Sequence, residues 1–133
     1  MSNIEARIKD IQTVDSLNIV TFEFEGINLS MMSLELKDEV QVGKKVLLGT
    51  KPTAVAIAKE FSGEISYSNQ IKANIENIEI GQLLCSINLR TSTTSFESII
   101  TAKSAKRLNL KQGDEVTALI KASEISISKV LDV

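Results

Sequence analysis

Apolar and polar residues alternate along most of this chain with a period of two, the pattern of half-buried strands. Ile4, Ala6 and Ile8 share one face of 4–14 (IEARIKDIQTV), and Asp15-Ser16 forms a turn. Val20, Phe22 and Phe24 share one face of a second strand over 18–26, and 27–32 is a short third strand after Gly26. The alternation breaks over 33–40 (SLELKDEV), which predicts a single helical or irregular turn. Gly43 opens a fourth strand, GKKVLLGTK, and Pro52 interrupts the chain before a fifth over 53–59.

After a short linker at Phe61-Ser62-Gly63 the same order of elements returns. ANIENI at 73–78 echoes ARIKDI at 6–11, and QGDEV at 112–116 echoes VGKKV at 42–46. Lys121-Ala122-Ser123 echoes Lys51-Pro52-Thr53, and EISI at 124–127 echoes AVAI at 54–57. Four echoes in one order indicate a duplication. Five short strands and one helix or turn per half predict an all-β fold with one short helix per repeat. The arrangement is two tandem five-stranded barrels of the oligonucleotide/oligosaccharide-binding (OB) type, at 1–62 and 63–133. A domain of about 65 residues buries only ~60% of its unfolded surface, so tandem packing and an obligate oligomer are expected.

The halves differ in chemistry. In FESIITAKSAKRLNLKQGDEVTALIKASEISI (96–127), Thr101 and Ser104 fall at the mouth of a short helix and Lys121 ends the next strand. Two hydroxyls, free amides and one cation able to reach them suit a small anion. The first half has Met31 and Leu34 opposite Thr101 and Ser104, and so keeps the fold without those donors. Thr91–Ser95 (TSTTS) reads as a polar hairpin loop with a lesser claim to a rim-type anion contact.

Composition narrows the function. Net charge is −2 with interspersed signs and aromatics are 4%, which argues against nucleic acid. There is no histidine, and the single cysteine, Cys85, reads as a buried thiol, so no soft-metal site or nucleophilic triad can be built. No apolar run approaches the ~20 residues of a membrane span. The start, MSNIEARIKD, has no apolar signal core, which gives the expectation of a cytoplasmic non-enzyme.

The stretch 100–127 resembles the signature half of the molybdenum–pterin-binding (Mop or TOBE) domains. That family's Ser-Ala-Arg-Asn-Gln run stands here as Ser66-Tyr67-Ser68-Asn69-Gln70, with Ser68 in place of the arginine. Because the repeats cover the chain, it is similar to stand-alone double-Mop proteins. The resemblance implies a molybdate or tungstate oxyanion held between subunits of a homo-oligomer, dimer or trimer. Thr101, Ser104 and Lys121 with the adjacent Ala122 would come from one subunit, and Ser66 with the amides of Tyr67 and Ser68 from another. It implies storage, buffering or delivery of the anion, with molybdate-transport or cofactor-synthesis proteins as partners. Lys51, the echo of Lys121, reads as structural or weakly involved. The rival readings are a ligand-sensing module acting on a transporter or regulator, and an OB-type nucleic-acid-binding barrel.

Overall fold

The computed structural model describes residues 2–131. The first half contributes β1 (Ser2–Val14), β2 (Leu17–Phe24), β3 (Ile27–Ser33), β4 (Lys45–Thr50) and β5 (Ala56–Ala58). The second contributes β6 (Asn69–Ile80), β7 (Leu84–Arg90), β8 (Ser95–Thr101), β9 (Glu115–Ile120) and β10 (Ile125–Val130), with one helix, α1 (Ala102–Arg107). Alternation does what it predicts: in β6, Asn69, Ile71, Ala73 and Ile75 point inward while the residues between them face solvent.

The duplication is visible in the backbone. β1 bulges between Ile8 and Asp10, and β6 bulges between Ile75 and Asn77. Each bulge is closed by the glycine of the matching turn. Gly43 N donates to Ile8 O and Gly113 N donates to Ile75 O, both at 2.8 Å. Both glycines hold a left-handed φ, 94° and 92°, which a side chain would strain.

The strands do not sort into two self-contained barrels. The sheet orders are β10-β4-β1-β2-β3 and β5-β9-β6-β7-β8, so each half gives its fifth strand to the other. After β4 the chain passes through a 3-10 turn, Pro52–Ala54, and pairs Ala56 with Leu119 of β9. After β9 it passes through a second 3-10 turn, Ala122–Glu124, and pairs Ile125 with Thr50 of β4. Thr50 Oγ1 donates to Glu124 O at 2.8 Å and fixes that crossing. One continuous core results, with Phe22, Leu29 and Leu48 from one half in the same cluster as Ile71, Leu89 and Ile120 from the other.

Of the two forms expected of 33–40, the irregular one is found: residues 34–42 form turns, and the first half has no α-helix to match α1 among the described residues. The difference lies in the cap. Thr101 receives the Ser104 amide and so satisfies an orphan donor of the first helical turn. The strand registers place Leu34, not Met31, at the position of Thr101, since Leu29 pairs with Phe22 as Phe96 pairs with Leu89, and the exposed apolar side chain of Leu34 can accept no such bond.

Candidate functional site

The β6–β9 ladder opens with Asn69 opposite Ile120, so the segment just before Asn69 runs beside Lys121 and Ala122. Asn69 is the anchor of that segment. It is fully buried, its Oδ1 accepts from Ser30 N at 2.6 Å, and its Nδ2 donates to Ser30 O at 2.9 Å. Gln70 Nε2 donates to Tyr67 O at 2.9 Å, tightening the loop. Ser66 and Ser68 remain exposed, and Tyr67 is half-buried.

Lys121 precedes its 3-10 turn with φ −64° and ψ 146°, and Lys51 precedes the other with φ −71° and ψ 136°. The two backbones are equivalent, and both lysines are exposed. Both also line one open groove of about 510 Å3, together with Thr53, Tyr67 and Glu124. Two lysines and two hydroxyl-bearing residues therefore line a common space, with Glu124 at its wall. Ala122 is half-buried in the turn beside it.

Thr101 and Ser104 form a separate pair. Thr101 Oγ1 accepts from Ser104 N at 3.1 Å and donates to Ser104 Oγ at 3.0 Å. The groove wall reaches Ile99 and Ile100, and the two hydroxyl residues are not part of its lining. Within one chain the structure thus brings Lys121 and Tyr67, which the resemblance assigns to different subunits, to one groove, while Ser66, Ser68 and Ala122, like Thr101 and Ser104, stand outside its lining.

Two contributions were not read from the sequence. Lys51 and Thr53 belong to the groove; the echo of Lys121-Ala122-Ser123 was the available signal. Lys59, just past β5, donates to Leu108 O at 3.1 Å and Asn109 O at 3.0 Å, capping the end of α1 from the other half. It also pairs with Asp114 at 3.4 Å. The Lys111 amide, donating to Asp114 Oδ2 at 2.9 Å, together with Lys59, holds the Asp114 carboxyl below the usual range against the opposing effect of burial. Cys85 is buried as expected, and burial pushes its thiol up. The Thr91–Ser95 loop already holds an anion, the carboxylate of Glu25.

Residues 65–127 match the TOBE domain family. The second half is a TOBE domain. A TOBE domain is a binding module, not an enzyme, and this one contains Ser66, Tyr67, Ser68, Thr101, Ser104 and Lys121. Over 110 residues the chain is 30% identical to the molybdate/tungstate import ATP-binding protein WtpC of Pyrococcus horikoshii. That match takes in 83% of this chain but only 32% of the relative, so the chain spans about a third of that protein's length. Among solved structures, the cytoplasmic molybdate-binding protein ModG, in a form with molybdate bound, superposes with a TM-score of 0.87 at 23% identity. The match covers 94% of this chain and 93% of that one, so the TOBE domain and its partner half share the whole ModG fold. A molybdate-binding protein from Sporomusa ovata matches half of the chain (50%) over its full length (100%), at 34% identity and a TM-score of 0.49. Among the described residues no helix is long and apolar enough to cross a membrane.

Proposed function

We propose that this protein binds molybdate or tungstate in the groove between its two crossings and serves to store, buffer or deliver the anion in the cytoplasm. The observation that carries this reading is the convergence of Lys51 and Lys121, equivalent residues of the two repeats, on one groove beside Tyr67. A tetrahedral dianion offers only acceptors at neutral pH, so it calls for ammonium, hydroxyl and amide donors. Lys51 and Lys121 match its two charges against the one of Glu124; Thr53 and Tyr67 line the groove as neutral donors, and Ser66, Ser68 and the amides of Tyr67, Ser68 and Ala122 stand on the adjoining loop and turn.

Thr101 and Ser104 stand outside the groove of their own chain. In this reading they complete the site of a neighbouring copy, which makes a dimer or trimer the binding form. The relation to a transport ATPase favours a second role, delivery to or sensing for a molybdate transporter.

Calorimetric titration of the full chain tests the proposal. Saturable heat at micromolar molybdate or tungstate is the expected result. Silence with both metal oxyanions refutes it.

A further inference from the structure

A turn from each half meets at one carboxylate. The β2–β3 turn places Glu25 at φ 48° and Gly26 at φ 82°, the paired left-handed conformation of a two-residue hairpin. The first of these positions favours Asn, Asp or Gly, and a glutamate there is unfavourable on backbone grounds alone. Its side chain has a use that theirs could not serve. Glu25 Oε2 accepts from Thr91 Oγ1 at 2.7 Å, from Thr93 N at 2.9 Å and from Thr93 Oγ1. The receiving turn is itself closed by Thr91 N donating to Thr94 O at 2.9 Å, and Thr94 Oγ1 reaches Asn3 O at 3.2 Å.

We infer that Glu25 is a carboxylate latch: the 91–94 turn is an anion-accepting loop whose resident anion belongs to the other half of the same chain. On the first half's side the charged groups facing this contact are Glu5, Arg7, Glu23 and Lys45. On the second half's side they are Lys72, Arg90 and Glu115. Cations outnumber carboxylates there, so the surroundings do not expel the latch. Burial pushes the Glu25 carboxyl up, but hydrogen bonds from Thr93, Thr91 and Ser92 outweigh it and hold the group below the usual range. The latch is therefore shut above the ordinary carboxylate range and opens as pH falls through the lowered value.

The test follows the Thr93 amide of the full-length protein by NMR hydrogen exchange. Glu25→Gly removes the carboxylate while suiting the left-handed backbone, so the hairpin is retained. Exchange at Thr93 should be at least tenfold faster in Glu25→Gly than in the natural chain at the same pH. Added formate, a free carboxylate of the right chemistry, should slow it again in the variant. Equal exchange in the two proteins, or a variant indifferent to formate, overturns the latch.

Discussion

Asn69 clasps Ser30 with both ends of its amide, accepting at 2.6 Å and donating at 2.9 Å across 39 residues of sequence. The contact ties the root of the 66–68 loop to β3 of the first half. Replacing Asn69 with Ala removes two buried hydrogen bonds and leaves Ser30's backbone unpaired. Stability should fall by about 2–4 kcal/mol in urea unfolding, and oxyanion affinity should fall with it because the loop loses its anchor.

The exchanged fifth strands predict that neither half folds alone. A fragment of residues 1–62 would lack β10 beside β4, and one of 63–133 would lack β5 beside β9. Each should give a disordered circular-dichroism spectrum and no cooperative transition. Mixed together, they should regain both.

Lys51→Ala and Lys121→Ala should each weaken molybdate or tungstate binding by about tenfold or more, since a charge-assisted hydrogen bond contributes roughly 1.5–3 kcal/mol. Both side chains are exposed, so thermal unfolding should hardly change. Ser104→Ala should weaken binding through the neighbouring copy. Its effect should disappear at dilutions where titration detects only monomer.

Asp114 carries a pH prediction of definite sign. Its folded-state pKa is lowered, so its stabilisation is complete above the unfolded carboxylate value and is lost as pH falls through the folded one. Acidification should loosen the turn at 111–114 and the end of α1 that Lys59 caps. Asp114→Asn should flatten this part of the stability–pH curve.

Cys85 should resist a thiol reagent in the native protein, since it is fully buried and its thiol is pushed up. Reactivity should appear with unfolding and follow the same denaturant midpoint.

The sequence by itself determined the strands, their repeat and the chemistry on offer. Period-two alternation is a local property of each strand, and Gly43 and Gly113 mark their turns wherever the sheets lie. The hydroxyls of Thr101 and Ser104 and the ammonium of Lys121 were likewise open to reading, because a residue's donor set is fixed by its type. Only the tertiary structure decided the partners. Whether β5 pairs with β4's sheet or with β9 depends on the direction the chain takes through Pro52–Ala54, and equivalent repeats offer equivalent edges to both strands. That choice sets Lys51 and Lys121 on one groove and Lys59 over the end of α1, and the packing of the halves brings Glu25 within reach of Thr93. Each of these arrangements joins residues far apart in the chain, so no local pattern encodes it.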